Sequence, residues 1–168
     1  MRNSKLELRP AGSVAGPWQV TFDPAWQSPS EVTFAGLDDW SKRAEPDIRH
    51  YSGIAVYRRT FDLPAGAAGG GALYLDLGVV HNLAEVRLNG RDLGVLWCPP
   101  WRVAITDAVQ PAGNALEIRV ANFWPNRLIG DAALPPEKRR TRTNVTKFKP
   151  DLPLNPSGLL GPVQLLRE

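Results

Sequence analysis

Hydrophobic and polar positions alternate with a period of two along most of this chain. Ala84, Val86 and Leu88 point one way and Glu85 and Arg87 the other, which predicts a half-buried strand. Asn89-Gly90 follows, a pair suited to the two positive-φ positions of a tight hairpin turn, and Leu93 to Leu96 makes the return strand. Leu116, Ile118 and Val120 alternate in the same way with Glu117 and Arg119, and Trp18, Val20 and Phe22 with Gln19 and Thr21. Further strands are predicted over 54–61, 73–77, 102–105 and 163–166. The pattern is that of an all-β protein, an antiparallel β-sandwich. One domain is expected over 16–168, preceded by an extension over 1–15. Between 123 and 156 the period is lost. A long ordered loop is predicted there, anchored by Phe123, Trp124, Leu128, Ile129 and Phe148, and loops of that length in compact domains are usually functional or disordered.

Strand parity sorts the connections. If each strand reverses direction, 62–72, 89–91 and 106–114 meet at one end, and 49–53, 79–82, 97–101 and everything after Asn122 meet at the other. The first set is rich in glycine, alanine, proline and asparagine, plain turn chemistry. The second holds His50, His81, Asn82, Trp97, Trp101, Asn122, Trp124, Asn126, Arg127 and Asp131. Both histidines of the chain fall in that set, and that asymmetry marks the functional end.

Composition narrows the classes. A chain of 168 residues with 43% hydrophobic content fits one soluble domain with a sizeable core. Sixteen prolines and fifteen glycines suit short strands and turns. No apolar run approaches the roughly 20 residues of a membrane span, and no apolar stretch of the signal-peptide kind follows Met1. Neither a membrane nor a nucleic acid is an expected partner. Cys98 is the lone cysteine, which excludes an intrachain disulfide and predicts a small buried apolar filler. The net charge of +3 is mild, and much of it lies between Lys138 and Lys149; that basic segment is an alternative polyanion site.

Aromatic rings beside amide, carboxylate and guanidinium groups suit a carbohydrate ligand. A pyranose offers apolar C–H faces to an indole and hydroxyls to paired donors and acceptors. The candidate contacts are His50, Trp97, Trp101, Trp124, Asn126, Arg127 and Asp131. Arg127 and Asp131 could equally form a loop-stapling ion pair, and the tryptophans could dock a neighbouring domain. Glycoside hydrolysis usually needs two carboxylates across a cleft, and only Asp131 is well placed at this end, so no independent catalysis is expected. There is no Gly-x-Ser-x-Gly elbow and no zinc-ligand spacing. No cofactor is expected; a structural calcium held by loop oxygens stays open, with no Asp-rich spacing to mark it.

Taken in order, several segments form a recognisable series. They are Gly16-Pro17-Trp18-Gln19-Val20-Thr21-Phe22, Tyr57-Arg58-Arg59-Thr60-Phe61, Ala84-Glu85-Val86-Arg87-Leu88-Asn89-Gly90 and Gly113-Asn114-Ala115-Leu116-Glu117-Ile118. Asn126-Arg127-Leu128-Ile129-Gly130-Asp131 and Pro156-Ser157-Gly158-Leu159-Leu160-Gly161-Pro162-Val163 complete it. The series resembles the sugar-binding jelly-roll domain of family 2 glycoside hydrolases, in the galactose-binding-like superfamily. The last two segments look most like the version at the C-terminus of bacterial α-L-rhamnosidase-type enzymes of family 106. The resemblance covers roughly residues 16 to 166. It implies a non-catalytic carbohydrate-binding or accessory module, or a purely structural brace, whose partners are an oligo- or polysaccharide and a catalytic glycosidase domain. It also implies a secreted or periplasmic parent enzyme. A loop aspartate of family 2 β-galactosidases reaches the active site, and Asp131 stands in the matching segment. Leu154-Asn155-Pro156 stands where that family often has Trp-Arg.

Overall fold

A computed structural model describes residues 7–26, 30–67 and 69–168. In chain order the strands are β1 (Arg9–Ser13), β2 (Trp18–Thr21), β3 (Val32–Phe34), β4 (Ile54–Phe61), β5 (Leu73–Asp76) and β6 (Val79–His81). They continue with β7 (Leu83–Leu88), β8 (Arg91–Leu96), β9 (Arg102–Ala104), β10 (Asn114–Ala121), β11 (Gly158–Gly161) and β12 (Gln164–Arg167). Among the described residues two α-helices join them, α1 (Pro46–Arg49) and α2 (Pro125–Ala132). Six strands form one sheet in the order β3-β2-β4-β10-β7-β8, four form a second in the order β1-β12-β5-β9, and β11 pairs with β6. Every named pair is antiparallel. This is the expected antiparallel β-sandwich.

The alternation dictates the packing. Ala84, Val86 and Leu88 are buried, as are Leu116, Ile118 and Val120 on the neighbouring strand. From the other sheet come Leu73, Leu75 and Leu165. Apolar surface removed from water at about 25 cal/mol per Å² is what holds two such faces together. One end of this core is aromatic. The Trp40 ring stacks on Tyr57 and meets Phe22 and Tyr51 edge-on, and Trp40 Nε1 donates to the Tyr57 hydroxyl at 2.6 Å. Burial raises the Tyr57 pKa far above that of an ordinary phenol, so the hydroxyl stays protonated and hydrogen-bonded.

At the end without candidate chemistry, Asn89 (φ 53°) and Gly90 (φ 80°) make the expected hairpin turn. Asn89 also binds across the domain. Its Oδ1 accepts from Ala115 N, and its Nδ2 donates to Ala108 O and Asn114 Oδ1. Leu63 N donates to Pro111 O and Gly113 N to Asp62 Oδ1, so the connections at 62–72, 89–91 and 106–114 do gather at one end.

Three expectations need correction, and four short elements leave no mark in the sequence pattern. The segment 1–15 is not all an extension, because β1 pairs with β12 along the edge of the four-stranded sheet; residues 1–6 lie outside the described residues. The stretch 123–156 contains α2 and a short 3-10 turn over Pro136–Lys138. β3, β6, β11 and α1 are too short for a period to show. Cys98 is exposed and not a core filler, because it lies on the 97–101 connection outside both sheets. Among the described residues no helix is long and apolar enough to cross a membrane.

Candidate functional site

The other end of the sandwich is laced together by side chains from distant loops. Ser52 Oγ donates to Phe123 O at 2.9 Å, and Asn122 Oδ1 accepts from Gly53 N at 3.0 Å. Asn122 Nδ2 donates to Tyr51 O and to Ser157 Oγ, while Asn82 N donates to Ala121 O. The 49–53, 79–82, 122–131 and 155–157 segments therefore form one surface.

Helix α2 organises it. Pro125 opens the helix, where a missing N–H costs nothing, and the next turns place Asn126, Arg127, Ile129 and Asp131 inward. Helical geometry thus replaces the irregular loop expected for these residues, and sets Arg127 and Asp131 four apart on one face. They form an ion pair with Nη1–Oδ1 at 3.6 Å, each residue 3% exposed. Asp131 Oδ2 accepts from Thr141 N at 2.7 Å and from Thr141 Oγ1 at 2.6 Å. Asn126 is likewise committed: its Nδ2 donates to Asn155 O and Ser157 Oγ, and its Oδ1 accepts from Asn155 N. These three side chains hold the loop in place and face inward. Burial lowers the Arg127 pKa, with Arg140 acting in the same direction; a guanidinium still remains charged at neutral pH.

His50 has a packing role. It caps the C-terminus of α1, with Nδ1 3.1 Å from Pro46 O, and its ring lies so close to Gly130 that a Cβ there would be 2.7 Å from His50 Cγ. Burial holds the imidazole below the ordinary histidine range; Arg49 and Arg127 lower it further, against the Pro46 carbonyl and Asp131. A base depressed on folding favours the folded state when neutral. Stability is then full above the unfolded pKa of about 6.5 and falls as pH drops through that value toward the folded pKa. Thermal melts between about pH 7.5 and about pH 5 should show this decline, and His50→Gln should flatten it. An unchanged slope in the variant would assign the decline to other groups.

The tryptophans divide. Trp124 is exposed at the start of α2 and meets Trp26 edge-on at 5.6 Å, and Arg127 lies over the same Trp26 ring. Trp97 and Trp101 lie on the connection from β8 to β9, which joins the edge strands of the two sheets. Trp101 is partly buried, its carbonyl accepting from Leu77 N. The structure thus brings His50, Trp124, Asn126, Arg127 and Asp131 together and leaves Trp97 and Trp101 at the far edge.

At the start of α2 lies an open cleft of about 230 Å³, lined by His81, Asn82, Phe123, Asn126, Asn155 and Ser157 among others. Phe123, expected as a buried anchor, is 66% exposed at its rim. No hydrogen bond among the described residues engages the side chains of His81, Asn82 or Asn155. Parity places His81 and Asn82 at this end, but nothing in the sequence shows that Asn155 comes from well beyond the end of α2 at Ala132 to join them. Among the described residues no three His, Cys, Asp or Glu side chains gather as a metal site requires. In the basic segment Lys138, Arg139, Arg142, Lys147 and Lys149 are exposed, whereas Arg140 pairs with Asp47 at 2.7 Å and donates to Trp26 O.

No protein-family profile matches the chain. It is 40% identical over 143 residues to the Formosa agariphila protein named "Putative beta-glucuronidase", a match over 84% of this chain and 12% of that protein. Among solved structures it is similar to a rhamnosidase from Novosphingobium sp. PP1Y, with 40% identity and a TM-score of 0.90, over 100% of this chain and 16% of that one. The β-glucuronidase of Ruminococcus gnavus shares the fold at 19% identity and a TM-score of 0.64, over 99% of this chain and 30% of the enzyme. The chain therefore spans a small part of each of these relatives, and all three carry glycoside hydrolase names.

Proposed function

We propose that this chain is a non-catalytic accessory module of a glycoside hydrolase, of the kind joined to family 2 and family 106 enzymes, and that it holds a glycan end in the cleft beside Phe123. One observation carries the reading. Three polar side chains without internal partners, His81, Asn82 and Asn155, converge next to an exposed aromatic ring. A sugar ring matches that set, with C–H groups for the aromatic face and hydroxyls for the amides and imidazole. Arg127 and Asp131, paired with each other inside the domain, hold α2 against the loop that carries Thr141. The similarity to a rhamnosidase and to β-glucuronidases makes glycans ending in rhamnose or glucuronic acid the first to test.

Titration of the purified domain with such oligosaccharides should give saturable binding. Phe123→Ala and Asn82→Ala should each weaken it by about tenfold, the equivalent of ~1.4 kcal/mol, while Lys147→Ala should leave it unchanged. Real binding indifferent to both cleft variants would reject the cleft. An affinity that falls steeply with added salt would instead move the ligand to the basic segment 138–149.

A further inference from the structure

We propose that an apolar row at the end of the six-stranded sheet is the seat of a glycosidase catalytic domain, docked against this one. The inference rests on the accessory-module reading above and adds the surface through which the module attaches.

The outward face of that sheet changes character along its length. In one cross-strand row Gln19, Arg58, Glu117 and Arg87 stand side by side, with Arg58 and Glu117 paired at 2.9 Å. The next row pairs Arg119 with Glu85 at 3.3 Å. Two rows of compensated charge are what an open sheet face presents to water. The following row, toward the cleft end, holds Ile54, Ala121 and Leu83 in register. Ala84 opposes Leu96 and Glu85 opposes Val95, so Val95 flanks the row, and Trp97 directly follows Leu96, the last residue of β8. Ile54, Leu83, Val95 and Trp97 are 45%, 37%, 51% and 74% exposed. No charged side chain interrupts Ile54, Ala121 and Leu83. Single exposed apolar residues need no explanation, but a contiguous set spanning four strands marks an interaction site, and a tryptophan at one end is a frequent interface anchor.

Three features select the occupant. The row lacks the polar donors and acceptors that a glycan requires. Its neighbouring charges are paired among themselves, so it has no charge for a polyanion to seek. In the rhamnosidase that matches this whole chain, the matched part is 16% of the polypeptide, so a domain of this shape there has a large further body of protein to abut. An apolar protein surface of the hydrolase itself fits all three.

The test uses Cys98, which is exposed and adjacent to Trp97, as a reporter. This chain is placed in the rhamnosidase in exchange for the matched segment, and maleimide labelling of Cys98 is followed by peptide mass. Docking should slow labelling about tenfold relative to the isolated chain, the factor that ~1.4 kcal/mol of docking free energy imposes. Ile54→Ser with Leu83→Ser should restore the fast rate in the chimera. In the isolated chain these exposed substitutions should leave the melting midpoint within about 2 °C. If the chimera does not fold, this chain is mixed with the rhamnosidase lacking the matched segment and the same rates are compared. Equal rates with and without the hydrolase would overturn the proposal. So would self-association of the isolated chain that Leu83→Ser abolishes, because the occupant would then be a second copy. Glycan titration of the isolated chain fails or succeeds separately from either result, so the two readings can be told apart.

Discussion

Gly158→Ala is expected to lower the stability of this domain by about 2–5 kcal/mol, the sum of backbone strain and overpacking. Gly158 has φ +101°, and a Cβ on it would stand 2.5 Å from Trp40 Nε1 and 2.6 Å from Trp40 Cε2. The indole cannot give way cheaply. It is fully buried, donates through Nε1 to Tyr57, donates through its backbone N to Ser157 O, and stacks against Tyr57. For a domain of this size such a loss lowers the melting midpoint by roughly 5–20 °C. Gly94→Ala is the control, because Gly94 has φ +95° but nothing within 4 Å of its Cβ position. It bears the backbone strain without the collision. If thermal melts show Gly158→Ala to be no worse than Gly94→Ala, the close approach to Trp40 is not what requires glycine.

The second large effect is expected at the buried ion pair. Arg127→Leu should cost about 3–5 kcal/mol, because it leaves the Asp131 carboxylate buried without its counter-charge. Asp131→Asn in that background should recover part of the loss. An asparagine keeps an oxygen for Thr141 N and Thr141 Oγ1 while removing the unpaired charge. Urea denaturation of the two single variants and the double variant closes the cycle. A single Arg127→Leu variant within about 1 kcal/mol of the parent would mean that desolvation of the two charges already cancels their attraction.

Much of this protein is legible without its structure. Alternation of the Ala84–Leu88 and Leu116–Val120 kind sets which face of a strand is buried, because side chains on a strand point to opposite sides by geometry alone. Asn89-Gly90 names its own turn, since both positions need positive φ. Given antiparallel neighbours, parity then sorts the loops between the two ends, and the hydrogen bonds of Asn122 and Ser52 agree with that sorting.

Burial and partnership were decided only by the tertiary structure. Asn126, Arg127 and Asp131 are polar residues in a stretch without a strand period. Only the helix over Pro125–Ala132 and its packing under His50 turn them inward, because helix formation depends on the apolar surface it can cover more than on local propensity. Phe123 and Cys98 show the converse: residue types that are usually buried stand in water because each lies on a connection beyond the end of a strand. The cleft and the docking row have the same origin. Each joins residues far apart in the chain, Asn82 with Asn155 and Ile54 with Leu83 and Trp97, and only strand order brings them together.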